Sequence, residues 1–264
     1  MPAKINIVPD SVGLEWIARA WMLFKKYPVE LALITALYLE LVFLALRAPP
    51  SGLLVVPLLI PFLTVALYVS YTNLRHEGTL SLAEVLGAYA TQKKRLLLLG
   101  LSFVVLFLAV DGVLITIDKY LFPPATSPIP QLAHTCLRVA LYFLATLACL
   151  FSPALVVWRE EPVLRAIALS FLSCWKNRSA LFFNLIVMVA FCTVCLLPAG
   201  VFLLIDYLTD AFFFKAGMSF CGACGLLVMS TVFFLATYFS FRSFFQDSTP
   251  ESEEGASSLS MLFY

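Results

Sequence analysis

The chain has 264 residues, of which 62% are hydrophobic and only 12% charged, and its mean hydropathy is +0.96. Soluble domains average roughly half apolar and a quarter charged, so this composition excludes an ordinary soluble protein and predicts a chain that lives in a lipid bilayer. With 17 basic against 16 acidic residues the net charge is +1, which provides no global field for nucleic acid; electrostatic meaning must lie in where the charges sit.

The first element is amphipathic. Val12, Trp16, Ala20, Leu23 and Phe24 recur at spacings of three and four, which places one apolar stripe on one helix face. It ends at Lys25-Lys26, and an apolar run follows at about 29-47 that approaches the roughly 20 residues needed to cross the hydrocarbon core. That run is too long for a secretory h-region, so it is expected to stay in the membrane. A second span is predicted at about 53-73. Leu82, Val85, Leu86 and Tyr89 then repeat the amphipathic pattern, opened by Ser81 and Glu84 as a capping box, and lead through Lys93-Lys94-Arg95 into a third span at about 96-117. A fourth span is expected at about 135-158. Pro162 suits a first helical turn, Leu164, Ile167, Phe171 and Trp175 form a third stripe, and Lys176 and Arg178 precede spans at about 180-204 and 217-241.

Thirteen Lys and Arg residues fall in the N-terminus, the 74-95 and 159-178 loops and the C-tail; Arg47, Lys119, Arg138 and Lys215 fall on the other side, completing the 17. Positive charge marks the cytoplasmic side, so both termini are expected there. The predicted fold is all-α: a polytopic membrane protein of six transmembrane helices arranged as three hairpins, each preceded by a cytoplasmic interfacial amphipathic helix. One membrane domain covers 1-245, built from repeats at 10-76, 80-158 and 162-243, and an acidic, Ser-rich tail at 246-264 is expected to be disordered. The other explanation for the repeat is that any cytoplasmic loop beside a span looks basic and amphipathic.

The stretch "FSPALVVWREEPVLRAIALSFLSCWKNRSALFFNLI", residues 151-186, places a proline near a span end, a short acidic turn, and an Ala/Ser-rich helix ending in Trp-Lys-Asn. This resembles the membrane-domain superfamily of glycerophosphodiester phosphodiesterases and its stand-alone six-span relatives. The opening "VPDSVGLEWIARAWMLFKKYP" and "PPSGLLVVPLLIPFL" are similar to a family of uncharacterised six-span bacterial inner-membrane proteins in that group. The resemblance implies a bacterial inner (cytoplasmic) membrane and a fold. It carries no activity over, because six spans and their helices take about 245 residues and leave no room for a catalytic barrel of roughly 250.

Residues that could carry chemistry are few. Cys192 and Cys195, with Cys221 and Cys224, form two Cys-x-x-Cys pairs, placed by helical rise at matching depths of about 18-22 Å and 20-24 Å from the inner boundary. Four thiolates there could hold a soft metal or act as a redox pair. The competing expectation is plain packing, since Gly217, Cys221 and Gly225 make a ridge of small residues. Glu40 and Asp111 lie about 16 Å and 23 Å into spans one and three, and an intramembrane carboxylate suggests a proton- or cation-coupled pathway. Pro57, Pro61 and Pro198 could break helices around a site. His76 and His134 fall on opposite sides, Asn177-Arg178-Ser179 is a chance sequon, and no P-loop, HExxH, GxSxG or dinucleotide glycine pattern occurs.

The expectation is therefore a non-enzymatic accessory or scaffold protein without a cofactor. Trp16, Trp21, Lys25, Lys26, Lys93, Lys94, Arg95, Trp175, Lys176 and Arg178 would contact membrane lipids, a membrane-protein partner or a second copy, with no nucleic acid involved. The alternative is a small transporter or lipid-handling protein with a central cavity using Glu40 and Asp111.

Overall fold

The computed structural model describes residues 4–47, 52–120, 128–209 and 212–245. Its regular structure is entirely helical: α1 (Val12–Lys26), α2 (Pro28–Leu46), α3 (Gly52–His76), α4 (Leu82–Tyr120), α5 (Pro128–Leu150), α6 (Ser152–Trp158), α7 (Val163–Lys176), α8 (Arg178–Thr209) and α9 (Phe212–Phe245). Among the described residues six stretches are long and apolar enough to cross a membrane: Pro28–Leu46, Leu54–His76, Leu82–Ile117, His134–Trp158, Arg178–Phe202 and Gly217–Phe245. The chain is thus an all-helical polytopic membrane protein. The tail at 246-264 lies outside the described residues.

Where helices break has local causes. Pro28 disfavours helical geometry in the residue before it, and Tyr27 separates α1 from α2 at φ −134° and ψ 61°. At the α7–α8 junction the side chain of Asn177 takes over, because its Nδ2 donates to the Ser173 carbonyl at 3.0 Å. No such residue occurs around Lys93-Lys94-Arg95. The interfacial helix and third span expected as separate elements therefore form the single 39-residue helix α4, about 58 Å long at 1.5 Å per residue. Ser81 caps its start by accepting the Glu84 N–H at 3.3 Å.

The prolines that could break spans two and five do not: Pro57 and Pro61 lie within α3 and Pro198 within α8. The broken span is the fourth. The Ser170 hydroxyl, fully buried on α7, inserts between the Leu147 carbonyl (2.8 Å) and the Phe151 N–H (3.0 Å), groups that one more helical turn would have joined. Pro153 cannot donate to the Cys149 carbonyl four residues back, and the Ser152 hydroxyl does so instead at 3.0 Å.

Consecutive spans pack as α2 on α3, α3 on α4, α4 on α5 and α8 on α9. The segments α1, the first turns of α4, and α7 each rest on neighbouring helices. α1 lies on α8 and α9, α7 lies on α5 and α6, and Tyr89 of α4 donates to the Phe62 carbonyl of α3 at 2.6 Å. The core sits toward the end of the bundle where these stretches meet, around Trp16, Tyr68, Tyr71, Phe151, Phe244 and Phe245.

Candidate functional site at the basic end

The N-terminal segment is tied to this end by backbone and side-chain bonds. Asn6 N–H donates to the Phe244 carbonyl at 2.9 Å. Asn177, 2% exposed, accepts the Val8 N–H at 2.9 Å and donates to the Asn6 carbonyl at 3.1 Å. A buried amide that ties the N-terminal segment to the end of α7 is a knot, and nothing about a sequon hints at it. Its burial also removes it as a glycosylation acceptor.

Trp16 needs correction. The sequence places it among the residues that contact lipid or a partner, but it is fully buried. Its ring meets Phe244 edge-on at 5.3 Å and its indole N–H donates to Ser243 Oγ at 2.9 Å. It holds α1 onto α9. Close approach also fixes α1 to α8, since a Cβ on Gly13 would stand 2.5 Å from the Ala180 carbonyl oxygen.

The other candidates at this end are on the surface. Trp21 is at the margin of exposure and stacks on Phe24 at 5.5 Å, while Trp175 is 53% exposed and stacks on Phe171 at 6.2 Å. Lys25, Lys26, Lys93, Lys94, Arg95, Lys176 and Arg178 are all exposed. Arg95 donates to the Glu160 carbonyl at 3.3 Å, and a surface groove of about 340 Å³ runs along Lys93, Lys94, Arg95 and Glu160. Arg159 caps the C-terminal end of α9 by donating to the Phe245 carbonyl. On α7, burial pushes the Cys174 thiol up to about 12, which keeps it protonated and inert.

Glu40 and Asp111 are not brought to one cavity. Glu40 is exposed on α2. Asp111 accepts a hydrogen bond from Tyr142 and lines an otherwise largely apolar cavity of about 370 Å³ with Pro57, Ile60 and Phe107.

The four paired cysteines do not assemble either. All are free thiols, and among the described residues no group of three or more His, Cys, Asp and Glu stands within reach of a common metal ion. The small residues pack instead: a Cβ on Gly225 would stand 2.6 Å from the Cys195 carbonyl oxygen, and one on Gly217 would stand 3.0 Å from the Phe202 ring.

Comparison with known proteins finds no matching family model, no matching curated protein and no matching solved structure.

Proposed function

We propose that this is a non-enzymatic accessory or scaffold protein of a bacterial cytoplasmic membrane. Three amphipathic stretches, α1, the first turns of α4, and α7, form a platform on the cytoplasmic side that is held against anionic headgroups and presented to a membrane-protein partner. The carrying observation is the contrast within that platform: exposed Lys25, Lys26, Lys93, Lys94, Lys176 and Arg178 stand over a base of fully buried aromatic rings. A crowded base suits a fixed docking surface. The packing of these three stretches on neighbouring helices supports a three-unit repeat, and the distribution of Lys and Arg supports the orientation.

Each basic side chain near an anionic surface contributes about 1 kcal/mol, or roughly fivefold in binding. Replacing Lys25, Lys26, Lys93 and Lys94 together by Gln is expected to release the isolated platform segments from phosphatidylglycerol vesicles and leave the full chain folded. Native mass spectrometry of the full chain, gently extracted from its own membrane, is expected to show partner subunits in fixed ratio. A lone chain with one small molecule bound would overturn the scaffold reading.

A second reading rests on the Asp111–Tyr142 cavity: a lipid-handling or transport protein that takes an apolar molecule with a donor or cationic group. Glu40 has no place in that cavity. Loss of the bound molecule in Asp111→Asn would favour it.

A further inference from the structure

The cavity beside Asp111 joins features that the scaffold reading leaves unused. It lies at the end of the bundle opposite the basic platform, because Leu46 on its wall ends the span Pro28–Leu46 and Leu54 begins the span Leu54–His76. At about 370 Å³ it falls at the small end of the roughly 300–1,000 Å³ typical of small-ligand pockets. A smaller cavity of about 140 Å³, with His76, Trp158 and Arg242 on its wall, has no acidic lining residue among the described ones and so offers a cation no counter-ion.

Three groups on the wall of the larger cavity suit one kind of ligand. Asp111, half-buried on α4, accepts a hydrogen bond from the Tyr142 hydroxyl, and a carboxylate has about four lone-pair sites, so acceptor capacity remains. Phe107 and Tyr142 stack at 6.3 Å between ring centroids, and aromatic faces attract a cation. The third group comes from two prolines within α3. Pro57 is on the wall, and Pro61, four residues on, has no N–H to give the Pro57 carbonyl. In lipid, a carbonyl without its helical donor needs another. The remaining wall is aliphatic, with Ile60, Val104 and Leu108, and none of the described lining residues is basic; Arg138, one turn before Tyr142 on α5, is exposed and lies off the wall. A carboxylate, a carbonyl short of its donor and aromatic faces together call for positive charge carried on N–H groups. A neutral alcohol meets only part of that set.

We infer that this cavity binds the primary ammonium group of an amphiphile, which donates to the Asp111 carboxylate and the Pro57 carbonyl beside the aromatic faces, while its apolar part lies along Ile60, Val104 and Leu108. The inference rests on the second reading above, a protein that takes an apolar molecule, and narrows it to one ligand class. Pro57 and Pro61 then serve recognition without breaking α3.

The test uses the full chain in phosphatidylcholine nanodiscs. Hexylammonium and hexanol, equal in chain length, are titrated by calorimetry, with titrations into empty nanodiscs subtracted. The wild type is expected to bind hexylammonium about tenfold or more tighter than hexanol, as a charge-assisted hydrogen bond exceeds a neutral one. Asp111→Asn should remove that advantage and Phe107→Leu should reduce it less, while Glu40→Gln, which alters the other intramembrane carboxyl, leaves it unchanged. The comparison of the two ligands on the wild type keeps the test open if Asp111→Asn does not fold. Hexanol bound as tightly as hexylammonium would overturn the inference and leave the apolar-ligand reading standing. Binding of neither would overturn both. Hexylammonium binding that persists undiminished in Asp111→Asn would also overturn the inference, because the charge would then be met elsewhere.

Discussion

The two ends of the bundle solve the problem of polar atoms in different ways. At the basic end they are brought inside and bonded. Trp16 to Ser243, Asn177 to the N-terminal segment and Ser170 between Leu147 and Phe151 join elements up to 227 residues apart in sequence. At the opposite end α8 and α9 meet through Gly225 and Gly217, and large apolar side chains such as Val194, Leu197 and Phe220 face outward at 63%, 57% and 70% exposure. In lipid, an outward apolar side chain costs nothing, so between α8 and α9 that end is held by close backbone approach. The basic end must also hold its shape beside water and headgroups, where directional bonds fix geometry.

The largest effect expected from this contrast comes from Trp16→Ala. It removes a fully buried ring and leaves Ser243 without its donor, at a cost of about 3-5 kcal/mol for loss of a large aromatic. The thermal midpoint should fall steeply, and trypsin should cut rapidly at Lys25-Lys26 as α1 detaches. Trp16→Phe should recover most of the loss. Equal behaviour of the two variants would mean that the indole hydrogen bond, and not the packed ring, holds α1.

Ser170→Ala should come next. It strips the buried Phe151 N–H of its partner and leaves the Leu147 carbonyl with only the long bond from the Cys174 thiol at 3.8 Å, and a buried orphaned group costs about 1-3 kcal/mol. Denaturant unfolding in detergent would measure it. A loss below half a kcal/mol would mean that α5 and α6 close into one unbroken helix once the hydroxyl is gone.

These two residues also mark how far the sequence could be read. The six spans are legible because each is a long apolar run, and the α1–α2 break is legible because Pro28 is a local signal. The α5–α6 break depends on a serine 19 residues away. Pro153 gave half the signal, while Pro57, Pro61 and Pro198 gave the same signal inside continuous helices. Trp16 and Trp21 look alike in sequence, each an aromatic on a basic amphipathic helix; only packing against α9 separates the buried one from the partly exposed one. For the same reason the junction at Lys93-Lys94-Arg95 looked like the other two, although it contains nothing that would stop a helix. The cavity lined by His76, Trp158 and Arg242 was illegible because α3, α6 and α9 bring these residues together, and no local pattern connects them.

Glu40 should give the smallest effect and the sharpest comparison between the ends. It lies midway along α2 and is exposed, with no bonded partner among the described residues, so none of the basic end's internal compensation reaches it. A carboxyl that faces lipid gains nothing from its charge and is costly there when ionised. Glu40→Gln keeps the shape and removes the ionisable proton, so the isolated chain should change by no more than about 0.5 kcal/mol, the usual range for a surface substitution. Thermal unfolding at two protein concentrations in detergent checks this. A destabilisation above 1 kcal/mol that grows with concentration would show that the carboxyl is bonded by a second copy across α2, and that the membrane-facing side of this hairpin, like the basic end, is held by directional bonds.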